Sequence, residues 1–163
     1  VPAENLLGGV EGEGFRQLMK NLPQERLLIG IMGAAVIRKA LEETVAFAAQ
    51  RRLFGQALLD MQNTRFKLAE VKTEIELLAA FLDRLTAELE AGTLTPERAA
   101  MAKMWSTEMQ GRTVDTCLQL HGGYGYMAEY PISELYADAR VQRIYGGTNE
   151  IMREIIARSI DRD

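Results

Sequence analysis

Little in this chain supplies the residues that metal, disulfide or nucleic-acid chemistry needs. Among its 163 residues there is one cysteine and one histidine. The lone Cys117 leaves no internal disulfide framework and suits a reducing compartment. With His121 alone, the Glu-x-x-His pairs of a di-iron bundle cannot be built, and no zinc or other metal site is expected. Basic residues number 19 against 23 acidic ones, a formal net charge of −4. No basic stripe is available to offset phosphates, so nucleic acid is not an expected partner. The apolar run from Leu27 to Ile37 is broken by Gly30 and Gly33 and followed by Arg38, too short to span a bilayer. Nothing reads as a strand, a repeat or a low-complexity tract. Val1 to Asn5 form neither a signal peptide nor a basic targeting segment, and the start at Val1 is expected to mark an excised or processed piece.

What remains is an ordinary globular composition, 47% hydrophobic and 26% charged, long enough for one domain with a core. Four glycines within residues 1–14 mark a linker. Phe15, Leu18, Met19 and Leu22 follow helical spacing as a short lead-in, and Pro23 fits the first turn of a new helix. That helix should run from Gln24 to about Arg51 and, with apolar residues on nearly every face, be buried. Leu68, Val71, Ile75, Leu78, Leu82, Leu85 and Leu89 then alternate spacings of three and four, the seam of a bundle helix from about Asp60 to Ala91. Gly92 closes it, Thr95 can cap the next helix, and Pro96 opens that helix, which ends near Leu120. Pro131 starts a shorter helix to about Arg143. A last helix from Thr148 or Asn149 should bury Ile151, Ile155, Ile156 and Ile160. The loops are short, which favours antiparallel neighbours. The expected fold is all-α, an up-and-down four-helix bundle with additional short helices.

Several stretches stand out chemically, each with an ordinary alternative. Arg51-Arg52-Leu53-Phe54-Gly55, with Gln62 beyond, carries two cations that can simply complement a helix C-terminus. Gln119-Leu120-His121-Gly122-Gly123-Tyr124-Gly125-Tyr126 lacks the strand that a dinucleotide fingerprint requires and reads as a tight helix-to-helix turn. His121 reads as a structural hydrogen-bonding residue there. Thr148, Asn149 and Glu150 can serve as a helix cap. Glu25 can be a first-turn acid matched to the helix dipole.

Together with Leu22-Pro23-Gln24-Glu25-Arg26-Leu27 and Ile144-Tyr145-Gly146-Gly147-Thr148-Asn149-Glu150-Ile151-Met152-Arg153, these patches resemble, in order and spacing, the C-terminal helical domain of acyl-CoA dehydrogenases, flavoenzymes that desaturate acyl thioesters. The resemblance covers nearly the whole chain, residues 15–163, with 1–14 as the linker from a missing β-domain. It implies FAD as cofactor. Arg51 would grip the flavin diphosphate, Phe54 would complete the turn and Gln62 would lie on the adenine side. Gln119, Gly122 and Gly123 would lie against the ADP half across a subunit interface, and Thr148, Asn149 and Glu150 would face the flavin. Gly147 would turn its backbone N–H to the substrate thioester carbonyl. Where that family has a small polar residue this chain has Leu53.

In most of the family the glutamate base follows the motif's Tyr, where this chain has Gly146. The segments around Glu25 and Gly146 resemble the long-chain type of the family, which carries its base on the preceding helix and leaves a small residue in the motif. The resemblance therefore makes Glu25 the base, and Arg26 a pocket residue that positions CoA or tunes Glu25. It further implies an acyl-CoA substrate, a homo-oligomer (dimer or tetramer), an electron-transferring flavoprotein as acceptor, and a bacterial cytoplasmic or mitochondrial-matrix location. With two domains absent, the isolated chain should have little activity. Two other readings remain open, a non-catalytic helical oligomerisation module and a fold relative such as an acyl-CoA oxidase.

Overall fold

The computed structural model describes residues 1–160, so the domain's last three expected residues lie outside it. Five α-helices make the fold: α1 Gly14–Gln50, α2 Gln62–Glu90, α3 Pro96–His121, α4 Pro131–Val141 and α5 Asn149–Ile160. The expected all-α class and the helix boundaries hold to within a few residues, apart from the start of α1. The seam of α2 is buried from Leu68 to Leu85 as its spacing requires, against Leu27, Ile37, Ala102 and Met109. A second core patch joins Ala40, Val114 and Cys117 to Ile132 and Ala139 of α4.

Four expectations need correction. Pro23 does not begin a helix. It sits inside the 37-residue α1, whose lead-in turns are continuous with the rest. Proline frees the carbonyl four residues earlier, and that carbonyl belongs to Met19 on an exposed stretch where water can satisfy it. Glu25 thus lies in the third turn of α1, and the dipole-complementing reading of it no longer applies. α1 is also not buried all round, since Leu28, Ile31 and Met32 are exposed.

A short antiparallel hairpin does exist. Arg52–Leu53 pairs with Gln56–Ala57 around a two-residue tip, Phe54 and Gly55, both at positive φ (50° and 83°). Such turns match the twist of a two-stranded ribbon. In α5, Met152 is the buried apolar residue, whereas Ile151 and Ile160 are exposed. At α3, Pro96 takes the first turn as expected, but the Thr95 side chain makes no capping bond.

The most extensive interface joins α1 to α3. Gly30 packs against Ala102, and Gly33 against Ser106 and Gln110, so the two helices run parallel. α2 runs antiparallel to α3, with Glu88 paired to Arg98 at one end and Glu74 near Arg112 toward the other. A Cβ on Gly30 would lie 3.1 Å from the Ala102 carbonyl oxygen, a neighbour fixed in the α3 backbone. These glycines let two helices touch backbone to backbone.

Overpacking a rigid contact costs about 1–3 kcal/mol, so Gly30→Val should lower unfolding free energy by roughly 2 kcal/mol or more in urea titration. Gly14→Ala, with open space at its Cβ, should be neutral or slightly stabilising, since alanine exceeds glycine in helix propensity by about 1 kcal/mol.

A candidate active site divided between the two ends of one helix

The residues singled out in the sequence gather in two places. The C-terminal end of α1, the hairpin and the turn after α3 enclose a cleft of about 570 Å³. Arg51, Gln119, Gly122 and Gly123 all line it, with Phe47, Leu53, Leu58, His121, Tyr124 and Met127. The Arg51 guanidinium stands 5.3 Å from the Tyr124 ring centroid. His121 stacks on Phe47 at 4.3 Å, and its Nδ1 lies 2.8 Å from the Cys117 carbonyl oxygen. It is buried and structural, as expected. Gly122 has φ +60°, and a Cβ on either Gly122 or Gly123 would meet nothing within 4 Å. The turn therefore leaves room for a ligand against its backbone.

Two residues expected here are not in the cleft. Gln62 opens α2 on the exposed side, and Phe54 points away from the chain at 96% exposure. Neither touches the cleft within this one chain.

The second cluster forms where α1 passes the loop before α5. Gly146 and Gly147 both adopt positive φ, +68° and +92°. A Cβ on Gly146 would fall 2.6 Å from Ile29 Cδ1. Ile29 stands one helical turn beyond Glu25, so Glu25 occupies the α1 face that looks onto this loop. Arg26, nearly buried, donates from Nε to the Gly146 carbonyl at 3.3 Å. Its desolvation pulls the guanidinium below its ordinary value. The N–H of Gly147 enters no hydrogen bond among the described residues.

Behind the loop lies a group that sequence reasoning missed. Lys103 of α3 is 0% exposed. Its Nζ donates to the Gly147 carbonyl at 2.9 Å and to Asn149 Oδ1 at 2.7 Å. Asn149 in turn donates from Nδ2 to Thr107 Oγ1 and to Glu108 Oε1, each at 3.0 Å. Its backbone N–H bonds the Arg143 carbonyl. Asn149 was expected to face a cofactor, but its side chain and its N–H are both committed inward. Glu150 is exposed, and its carboxylate is held below its ordinary value first by its own backbone N–H and then by the Thr148 hydroxyl. That pair caps α5. Burial pushes Glu108 up, but the Asn149 amide together with Arg143 and Arg153 outweighs it and leaves the carboxyl below its ordinary value. The signal for Lys103 was present in the sequence: it shares the small-residue stripe of Ala99, Ala102, Ser106 and Gln110 on α3.

The sequence profile described as "Acyl-CoA dehydrogenase, C-terminal domain" matches residues 12–160. The chain is 48% identical over its full length to the mitochondrial long-chain specific acyl-CoA dehydrogenase of Rattus norvegicus, of which it covers 38%. Among solved structures it is similar to an acyl-CoA dehydrogenase of Geobacillus kaustophilus, with TM-score 0.91 and 44% identity over 94% of this chain and 40% of that one. It also matches butyryl-CoA dehydrogenase of Megasphaera elsdenii, with TM-score 0.94 and 33% identity over 99% of this chain and 42% of that one. The chain belongs to the acyl-CoA dehydrogenase family, within its C-terminal domain. It spans about two fifths of the length of the relatives it matches.

Burial pulls the Lys103 ammonium down to about 8 from an ordinary 10.5. Between those values the unfolded chain holds a proton that the folded chain has released. The penalty for burying the charge is therefore fully present below pH 8 and fades as pH rises to 10.5. Unfolding free energy measured against Lys103→Met should accordingly shift in favour of the native residue across that window.

Proposed function

We propose that this chain is the C-terminal catalytic domain of an FAD-dependent acyl-CoA dehydrogenase, with residues 1–14 linking it to a preceding β-domain and 15–163 forming the helical unit. The observation that carries the reading is the exchange of places between Glu25 and Gly146. The loop presents no carboxylate at Gly146. The side chain of Ile29 fills the space a Cβ would need, and Glu25 emerges one turn away on the same α1 face. The base thus approaches the substrate from α1 instead of from the loop.

In this reading Glu25 removes the proton α to the thioester, its carboxylate made more basic once the acyl chain and the remaining domains exclude water. The Gly147 N–H donates to the thioester carbonyl oxygen, where negative charge collects as the proton leaves. Bound flavin supplies a hydride acceptor for the β-carbon. Arg51 would hold a diphosphate, with Gln119, Gly122 and Gly123 offering an open backbone wall. The cleft fits such a group, because it combines one guanidinium with an apolar floor and bare glycines. Gln62 and Phe54 join it only from outside the cleft, Phe54 as a reaching aromatic. Thr148 and Glu150 edge the site beside the loop. Arg26 acts on the Gly146 backbone, which leaves only the far side of its guanidinium for a CoA contact.

Arg26 and Arg51 are 25 residues apart on one helix, about 38 Å at 1.5 Å per residue. One dinucleotide cannot extend over both clusters of the same chain. A second copy must bring its Arg51 end to this Glu25 end, so a homodimer or a dimer of dimers is the working form. Electron-transferring flavoprotein is the acceptor that the family resemblance supplies, and bacterial cytoplasm or mitochondrial matrix the location.

In the complete enzyme, Glu25→Gln should keep bound flavin and lose turnover with acyl-CoA by about 10²–10⁴-fold, the range for a general base. Near-normal turnover would overturn the assignment. Gly146→Glu in that background should restore part of the activity, and more when Ile29→Ala is added, because Ile29 blocks the new side chain. A protein that binds neither flavin nor acyl-CoA would instead be an oligomerisation module.

A further inference from the structure

Two cations take hold of two consecutive carbonyls in the loop, Arg26 on Gly146 and Lys103 on Gly147. Each carbonyl shares a peptide group with the next N–H, so the first grip acts on the Gly147 N–H and the second on the Thr148 N–H. A cation at an amide oxygen draws density through the amide and strengthens its N–H as a donor, more so where the dielectric is low. Lys103 satisfies that condition, being fully buried.

The burial of Lys103 has no obvious structural purpose. Its direct partners, the Gly147 carbonyl and the Asn149 amide oxygen, are neutral. Three charged groups face it: Glu150 from α5 and Glu108 from its own helix favour the ammonium, and Arg26 from α1 opposes it. Glu108 is meanwhile bonded to Asn149 and Arg153. An ammonium buried without a carboxylate in contact is destabilising, and a neutral amide could tie the same loop to α3. Retention of a charge there requires a use for the charge.

We propose that Lys103, together with Arg26, is a positioning residue for the reaction assigned above, fixing and polarising the peptides of residues 146–148 so that their N–H groups stabilise the thioester oxygen as Glu25 takes the α-proton. In that step the Cα–H bond breaks, its electron pair passes to the thioester oxygen, and the proton moves to the Glu25 carboxylate. The inference rests on the acyl-CoA dehydrogenase reading, and it adds a group that touches neither substrate nor cofactor.

The test uses the complete enzyme with acyl-CoA and a dye acceptor, and Glu25→Gln as reference. Lys103→Met should lower kcat by roughly 10-fold or more, below the 10²–10³ seen when an oxyanion donor is removed outright, with KM little changed. In the native enzyme kcat should decline as pH rises past about 8, where the ammonium loses its proton. Lys103→Arg, charged at every accessible pH, should recover part of kcat and lack that alkaline limb. The proposal is overturned by a folded Lys103→Met enzyme with native kcat and pH profile. A native profile that stays flat above pH 8, or an alkaline limb kept unchanged in Lys103→Arg, overturns it as well. The last two readouts stand even where Lys103→Met does not fold. Failure of the underlying reading looks different, since Glu25→Gln would then turn over normally.

Discussion

Backbone contact between α1 and α3 at Gly30 and Gly33 is the constraint on which the rest of the site depends. A side chain at either position would push the helices apart, because the neighbour at Gly30 is a peptide carbonyl and not a flexible side chain. Since the helices run parallel and in close register, Arg26 and Lys103 arrive on the same side of one loop. Widening the interface by even a methyl group would move one cation away from the loop relative to the other. The glycines were expected to bear on the bottom of a substrate pocket. They act instead through helix spacing, a full turn or more from the loop itself.

The loop then depends on glycine for a second reason. Gly146 and Gly147 adopt backbone angles that L side chains rarely tolerate, and each is backed by a side chain, Ile29 or Met152, where a Cβ would go. This geometry turns consecutive carbonyls inward to cations and leaves the Gly147 N–H unengaged. Asn149 completes the arrangement by joining Lys103 to Thr107 and Glu108, so α5 is anchored to α3 through polar bonds more than through its isoleucines.

The parts of this structure legible in the sequence are those with repeated signals. The seam of α2 could be read because seven apolar residues agreed on one period, and Pro96 because a capping pattern surrounded it. Pro23 misled because a helix can absorb a proline where the freed carbonyl meets solvent, which is a property of the neighbourhood and not of the residue. The hairpin at Arg52–Ala57 was invisible because strands of two residues show no alternation. Glu25 and Gly146 could be paired only through family resemblance, and Ile29, which links them physically, carried no signal at all. Lys103 was passed over because lysine usually marks a solvated face. Asn149 was misjudged because a helix-start asparagine ordinarily points outward.

The distance between the Arg51 cleft and the Glu25 loop carries a genetic implication. A site assembled from opposite ends of two chains can be repaired by mixing two different damaged copies. One chain altered only at the Arg51 cleft and another altered only at Glu25 would, on pairing, form one doubly damaged site and one site built wholly from intact halves. Two alleles that are each inactive alone would then yield a partly active protein together, whereas two alleles with lesions in the same cluster would not.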